Sequence, residues 1–370
     1  MCKTDNIKPG KRTHLSIYIA ALLLLITGGL FYRYCCKTSE SSGTQLEMNN
    51  YGAGVGSQYN DSIPESDHLP LLVFAPHWLP QAQFAGFYVA KEKGFYASKG
   101  IDVEIIHPTA SVNNMQYLLN GKADIASSFL VTAMKHKQSG IDLVNIAQLS
   151  QHSAIMFVTK KNSGVRDLRD FEGKRVGVWL SGFQETPMAL IREQELSVDW
   201  VPVLSTVNLF LLDGIDALTV MWYNEYHQLY LSGIDHDELN HFFMSDYGFN
   251  IPEDGIYVLD ETFRQRHNDL TKFVEATLEG WDYASAHKDY TVDLVVRLMQ
   301  EANIPANRTH QSWMLEKVLE AHCHLNKGIP RTLLEPKDFE QALNLVKNHH
   351  QLDQSIDYKD FFRPVISLQP

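Results

Sequence analysis

The chain has 370 residues, of which 44% are hydrophobic and 21% are charged, and its formal net charge at pH 7 is −12. This length is sufficient for two domains or two lobes. The first 45 residues carry six basic and two acidic side chains, so the remainder has 26 basic and 42 acidic side chains and a net charge of about −16. A globular part with this charge should repel nucleic acid, and we expect no nucleic-acid partner.

Residues 1–37 are predicted to form an N-terminal membrane anchor. The uncharged stretch 15–32, LSIYIAALLLLITGGLFY, is preceded by Lys3, Lys8, Lys11 and Arg12. A helix of this length can span a bilayer, and the basic flank predicts a cytoplasmic N-terminus, with the globular part periplasmic or extracellular. A cleaved signal peptide and a lipoprotein signal are the alternatives. Residues 38–68 are rich in Ser, Gly and Asn and are predicted to be a flexible tether.

From residue 69 onward, apolar runs of strand length alternate with helical patterns. This alternation predicts an α/β fold with parallel sheets, in which ligands bind beyond the carboxyl ends of the strands. After about residue 260 helical patterns dominate. The predicted strands are 71–75, 103–107, 144–149, 154–159, 175–179 and 256–259, and helices are predicted at 84–93, 112–119 and 186–195.

Aromatic and amide side chains stand next to the predicted strand ends. Trp78 follows the first strand, and Gln81 and Gln83 precede the helix after it. Trp179 ends the strand at 175–179. An indole face can stack on a flat ring, and amides both donate and accept hydrogen bonds. These four residues are therefore candidates for a ligand site.

Two acidic groups occupy similar positions. Tyr223, Asn224 and Glu225 follow the apolar run 217–221, and Glu253 and Asp254 lie in a turn before a predicted strand. A carboxylate accepts a hydrogen bond from a ring amine, and a buried carboxyl whose pKa is raised can donate to a ring nitrogen. We expect these residues, with Ser127, to line one cleft that suits an aminopyrimidine-like ring.

No nucleotide-binding loop, zinc-protease helix or nucleophile elbow is present. The run His322-Cys323-His324 contains metal-ligating residue types, but adjacent residues on a helix point in different directions. We therefore expect surface residues there, with no metal, no cofactor and no catalytic residue.

Several segments resemble the SsuA/THI5-like (NMT1/THI5) family, which groups periplasmic pyrimidine-precursor and riboflavin-binding proteins of ABC transporters with the eukaryotic thiamine-pyrimidine synthase. The similarity extends over about residues 69 to 300. The segments that carry it are WLPQAQFAGFYVAKEKGFYASKGIDVEI, LLNGKADIA, DFEGKRVGVW, LDGIDALTVMWYNEY, EDGIYV and TKFVEATLEGWDYASAHKD.

This resemblance implies a two-lobed periplasmic-binding-protein-like fold of type II. Lobe one would comprise residues 69–158 and 256–370, with a helical C-terminal part, and lobe two residues 159–255. The chain would cross between the lobes near Thr159 and Gly255, and the ligand would bind between them and favour the closed form.

The resemblance also allows this chain to be compared with the enzyme of the family, the thiamine-pyrimidine synthase. The synthase uses a lysine that holds pyridoxal phosphate and a histidine, and it has a cysteine-rich iron-binding run. Here Ser128 and Thr132 stand at the lysine and histidine positions, and FNIPEDG replaces the cysteine run. The enzyme is therefore disfavoured.

The combined interpretation is a solute-binding protein of an ABC transporter. Its expected partners are a small heteroaromatic solute of pyrimidine or flavin type, a thiamine pyrimidine precursor first, and an ABC permease in the membrane. A ligand-sensing module that reports to a membrane signalling partner is the alternative.

Overall fold

The computed structural model describes residues 69–109, 111–180, 182–204, 206–322, 330–350 and 356–368. The predicted anchor at 1–37 and the predicted tether at 38–68 lie outside these ranges. No helix in the described ranges is long and apolar enough to cross a membrane.

The described residues form ten strands and thirteen α-helices. The strands are β1 (Leu71–Ala75), β2 (Asp102–Ile105), β3 (Ile125–Phe129), β4 (Leu143–Gln148), β5 (Ile155–Lys160), β6 (Arg175–Trp179), β7 (Asp199–Val203), β8 (Ala217–Met221), β9 (Leu239–Phe243) and β10 (Asp254–Leu259). The helices are α1 (Ala85–Glu92), α2 (Phe95–Ser98), α3 (Asn114–Leu119), α4 (Leu130–Gln138), α5 (Glu185–Glu193), α6 (Asn208–Leu211), α7 (Glu225–Leu231), α8 (Asp260–Gln265), α9 (His267–Ala286), α10 (Lys288–Glu301), α11 (Arg308–Ala321), α12 (Pro336–His350) and α13 (Tyr358–Phe361). Short 3₁₀ helices lie at Ala82–Phe84, Lys161–Ser163, Leu168–Phe171, His236–Glu238 and Met244–Tyr247.

The strands form two five-stranded sheets, each the centre of one lobe. Their strand orders are β2-β1-β3-β10-β4 and β7-β6-β8-β5-β9. In the first sheet β1 runs parallel to β2 and β3, whereas β10 is antiparallel to β3 and β4. In the second sheet β6 runs parallel to β7 and β8, whereas β5 is antiparallel to β8 and β9. The prediction of parallel sheets is therefore wrong, because β5 and β10, the first strands after the chain changes sheets, run against their neighbours.

The chain passes between the lobes twice. The first crossing joins β4 to β5 through residues 149–154, and the second joins β9 to β10 through residues 244–253. The predicted crossing near Thr159 is displaced, because Thr159 lies within β5 and pairs with Ala217 and Asn240 of the second sheet. Gly255 likewise lies inside β10, just after the second crossing. The first crossing therefore lies several residues before its predicted position, and the second ends two residues before Gly255.

The C-terminal helices pack mainly on the first lobe. Helix α9 lies against α1 at a contact between two glycines: a Cβ on Gly280 would stand 2.1 Å from the carbonyl oxygen of Gly86. Phe273 of α9 continues the core onto Phe74 of β1, with ring centroids 5.5 Å apart. The edge strand β4 is covered by the last described segment, where Phe362 pairs with Asn145. This agrees with the predicted helical C-terminal part.

Candidate functional site

A cavity of about 50 Å³ lies between the two lobes, where strands of both sheets end. Seven of the ten predicted site residues line it: Trp78, Gln81, Gln83, Trp179, Tyr223, Asn224 and Glu225. The lining also includes His77, Phe129, Phe183 and Met221, which sequence reasoning did not single out. His77 lies two residues after β1 and directly before Trp78, so its position at a strand end was the available signal.

The first lobe contributes a buried hydrogen-bond network behind the cavity. The backbone N–H of His77 donates to Ser127 Oγ at 3.0 Å, and its ring Nδ1 lies 2.8 Å from the same oxygen. Gln83 Nε2 lies 3.2 Å from His77 Nε2 and donates to Asp254 at 3.0 Å. Because an amide N–H can only donate, His77 Nε2 accepts and Nδ1 carries the proton. Ser127 thus orients His77, a residue of the lining.

Burial sets the protonation of this network. Desolvation lowers the pKa of His77 to about 3, so its ring is neutral near neutral pH. Desolvation raises the pKa of Asp254 to about 7, against the opposing hydrogen bond from Gln83. Asp254 therefore exchanges between an acceptor carboxylate and a donor carboxylic acid close to neutral pH.

The second lobe contributes Glu225 at the start of α7. Its two carboxyl oxygens accept from Asn224 Nδ2 at 2.7 Å and from the Met221 backbone N–H at 2.9 Å. Desolvation nevertheless raises the pKa of Glu225 to about 7. Burial also raises the pKa of the neighbouring Tyr223, and the described residues offer its hydroxyl no hydrogen-bond partner. The second lobe thus presents a phenol and a carboxyl of adjustable charge.

Aromatic side chains form the walls. The indole N–H of Trp179 donates to the Thr219 carbonyl at 2.9 Å, which holds the ring against its own sheet. Trp78 is 42% exposed, and only its backbone carbonyl is bonded, to His107 Nδ1 at 2.7 Å. Phe129 and Phe183 meet edge to face across the lobes, with centroids 6.2 Å apart. One indole is therefore fixed and the other is free to adjust.

Glu253, like Ser127 and Asp254, lies outside the cavity lining. Its carboxyl accepts from Ser153 Oγ at 2.7 Å and from the Ala154 backbone N–H at 3.0 Å, both in the first interlobe crossing. Desolvation raises its pKa to about 8. Adjacent residues in extended backbone face opposite ways, so Glu253 holds the crossing while Asp254 contacts Gln83.

Two polar contacts join the lobes beside the cavity. Thr132 Oγ donates to the Gly182 carbonyl at 2.9 Å, and Lys135 forms an ion pair with the buried Glu185. Gly182 has a φ of +111°, a region that favours glycine. The position predicted to match the catalytic histidine of the synthase, Thr132, is thus part of an interlobe contact.

Ser128, at the position of the pyridoxal-binding lysine, donates to the Phe129 carbonyl at 3.3 Å. No lysine is among the residues that line the cavity. The side chains present therefore do not fit a pyridoxal phosphate held through lysine.

Two α/β lobes joined by two crossings, with a cavity between them, define the fold of a periplasmic binding protein. The crystal structure of the periplasmic aliphatic sulphonate binding protein SsuA from Escherichia coli is similar over 80% of this chain and 92% of that one, with a TM-score of 0.61 and 14% identity. The family model described as NMT1/THI5-like matches residues 81–290. This chain belongs to the NMT1/THI5-like family, as its sequence segments indicated.

Two of the relatives that the chain is similar to are named as binding proteins. The formylaminopyrimidine-binding protein of Halalkalibacterium halodurans is 24% identical over 298 residues, which cover 78% of this chain and 88% of the relative. The riboflavin-binding protein RibY of Chloroflexus aurantiacus is 26% identical over 252 residues, covering 64% and 68%. Both names describe binding of a nitrogen heterocycle.

Proposed function

We propose that this protein is the extracytoplasmic solute-binding component of an ABC transporter and that it captures a small heteroaromatic solute, with a thiamine pyrimidine precursor as the first candidate. The observation that carries this proposal is the pairing of aromatic walls with the buried carboxyl of Glu225 in the cavity lining and, behind the lining, the buried carboxyl of Asp254. Burial raises the pKa of each carboxyl to about 7. The names of the two relatives support the same class of solute.

The chemistry of an aminopyrimidine fits these groups. The exocyclic amine donates to a carboxylate, and a ring nitrogen accepts from a protonated carboxyl. Groups with pKa values near 7 take either form at little cost in free energy. The indoles of Trp78 and Trp179 supply faces for the ring, and the Tyr223 hydroxyl adds a donor. Riboflavin also presents ring nitrogens and a flat face, so it is the second candidate.

Capture requires the lobes to move. Ligand pockets usually measure about 300 Å³ or more, and the cavity of about 50 Å³ is much smaller. We expect a ring to enter when the contacts between Thr132 and Gly182 and between Lys135 and Glu185 open. The solute then stabilises the arrangement in which both lobes contact it.

The two alternatives differ in what they require. A synthase-like enzyme would need groups at Ser128 and Thr132 that these residues do not supply. A sensing module would use the same cleft but report to a signalling partner, and we keep it as the second hypothesis because ligand capture alone does not separate it from transport.

The test is a ligand screen on the full-length chain in mild detergent. We expect formylaminopyrimidine, or failing it riboflavin, to raise the midpoint of thermal unfolding in a concentration-dependent way, because a ligand that binds only the folded state stabilises it by mass action. Native mass spectrometry should show one solute per chain. Absence of binding by thiamine precursors and flavins alike would contradict the proposal.

Transport and location need separate experiments. Co-purification with a permease and its ATPase, with no sensor kinase, would favour transport. A reporter fused after residue 370 that is active only outside the cytoplasm would support the predicted orientation, and a reporter active only inside would refute it.

A further inference from the structure

Helix α11 reaches from the first lobe to the ligand-binding loop of the second. On the first lobe, Gln311 Oε1 accepts the backbone N–H of Ala82 at 2.8 Å, next to the cavity residues Gln81 and Gln83. On the second lobe, the indole N–H of Trp313 donates to the Trp222 carbonyl at 3.0 Å, directly before Tyr223. The helix therefore touches both sides of the cleft.

His310, near the start of α11, continues this bridge to Asn224. Its ring Nε2 lies 3.1 Å from Asn224 Oδ1. Asn224 Nδ2 donates to the Glu225 carboxyl, so the atom that faces His310 is the amide oxygen, which can only accept. His310 Nε2 must therefore carry a proton.

The second nitrogen of His310 is paired as well. Its Nδ1 lies 3.0 Å from Nδ1 of His227 on helix α7, and the two rings stack nearly parallel. In a neutral His310 with the proton on Nε2, Nδ1 accepts, so His227 donates from its own Nδ1. Trp313 covers His227 on the same stack, at a centroid distance of 4.9 Å. The hydrogen-bond directions thus define one tautomer for each ring.

Asn224 has no freedom to turn in this arrangement. Its oxygen accepts from His310 Nε2 and from Gln228 Nε2 at 3.1 Å, so both lone pairs are used. Its N–H is thereby directed at Glu225 Oε1. A flipped amide would lose two acceptor contacts and place an N–H against two donors, which is unfavourable in a partly buried site.

We propose that His310 is a positioning residue of the solute site, which orients Asn224 and through it Glu225 from the opposite lobe. The proposal rests on the proposed function, in which Glu225 bonds the solute. It adds that the carboxyl of the second lobe is set in its binding geometry only when α11 is docked against α7. Solute recognition and lobe closure are then coupled through one side chain that lies outside the cavity lining.

The binding test compares two substitutions of His310 in the full-length chain by isothermal titration calorimetry with formylaminopyrimidine. His310→Gln keeps an N–H donor at the place of Nε2, whereas His310→Phe keeps a flat ring without a donor. We expect His310→Phe to weaken binding about tenfold and His310→Gln to restore it to within about twofold of wild type, the range expected for one hydrogen bond to a buried polar group.

The matched control is His322→Phe, the same substitution just past the other end of the same helix. His322 packs edge-on against Trp281, with centroids 4.5 Å apart, and takes no part in the cleft. We expect wild-type affinity for this variant. Equal losses in His310→Phe and His322→Phe, or equal losses in His310→Phe and His310→Gln, would overturn the positioning role.

A second measurement does not depend on any solute. Long-range proton–nitrogen correlation spectra of the ¹⁵N-labelled chain should show His310 protonated on Nε2 and His227 on Nδ1, and the side-chain amide signals of Asn224 should shift in His310→Phe but not in His322→Phe. Opposite tautomers, or Asn224 signals unchanged in His310→Phe, would refute the inference. If wild type binds neither formylaminopyrimidine nor riboflavin, the proposed function fails, and these spectra still decide the role of His310.

Discussion

We predict that Glu253 makes the stability of the fold depend on pH, and the replacement of Glu253 by glutamine tests this prediction. Burial raises its pKa from 4.5 to about 8, while Ser153 and Ala154 donate to its carboxyl. The folded protein therefore retains a proton that the unfolded chain releases between these two pKa values. The stabilisation from this proton is fully present below about pH 4.5 and is lost as the pH rises through about 8.

The size of the effect follows from the same shift. Each pKa unit corresponds to about 1.4 kcal/mol, so this single carboxyl should lower the free energy of unfolding by roughly 3 kcal/mol between about pH 5 and about pH 8. Glutamine is uncharged over this range and can still accept the Ala154 N–H. In Glu253→Gln that part of the pH dependence should disappear, and the variant should gain stability relative to wild type as the pH rises.

The assay is urea unfolding of wild type and Glu253→Gln at about pH 5 and about pH 8, followed by tryptophan fluorescence. Glu340→Gln removes an exposed carboxylate of helix α12 and serves as the control. The relative stability of Glu253→Gln should change with pH, and that of Glu340→Gln should not. A Glu253→Gln difference that is the same at both pH values would refute the reasoning.

Three further predictions concern the walls of the cleft, the interlobe contact and the helix packing. Trp78→Ala should weaken solute binding about tenfold through loss of ring stacking, with unfolding unchanged because this indole is half exposed; calorimetry that shows wild-type affinity would contradict its role. Lys135→Met should destabilise the closed arrangement by about 1–2 kcal/mol, because Glu185 would stay buried without its cation. This magnitude is reduced because the lysine is partly exposed. Adding Glu185→Gln to that variant should recover stability in urea unfolding, and no recovery would count against the ion pair. Gly280→Ala should cost about 3 kcal/mol, because its Cβ would clash with the Gly86 backbone; a melting temperature within one degree of wild type would show that the helices can separate.

Local sequence patterns predicted a strand correctly where an apolar run has the same length as the strand that becomes buried. The predicted strands 71–75 and 175–179 have the same bounds as β1 and β6. Strand β3 was not predicted as a strand, because IASSF places two serines in a buried position where an apolar residue would be the usual signal. Strand β7 contains Pro202, a residue that argues against a strand unless it lies at a sheet edge, which is where β7 lies. Strands β3 and β7 therefore form because neighbouring strands pair with them, and their own residues do not predict a strand.

In the candidate site, too, local sequence predicts some residues and only tertiary contacts decide the role of others. Seven predicted residues line the cavity. They could be predicted because they are aromatic or polar side chains at strand ends, where ligands bind in α/β folds. His77 has its role because Ser127 and Gln83 surround it, and His310 because α11 docks beside α7; neither arrangement leaves a pattern in the neighbouring residues. Glu253 and Asp254 are adjacent in sequence, yet one holds a crossing and the other contacts Gln83.

The residue pattern alone indicated an α/β fold and most of the cavity lining, since these depend on periodicity and strand ends. The resemblance of several segments to a known family implied the family and the two lobes. The strand directions, the crossing positions and the raised pKa values of Glu225, Glu253 and Asp254 came only from the tertiary structure. The physical reason is that desolvation and hydrogen bonding of a carboxyl depend on every segment packed around it, and here those segments come from both lobes and from a helix about 85 residues further along the chain.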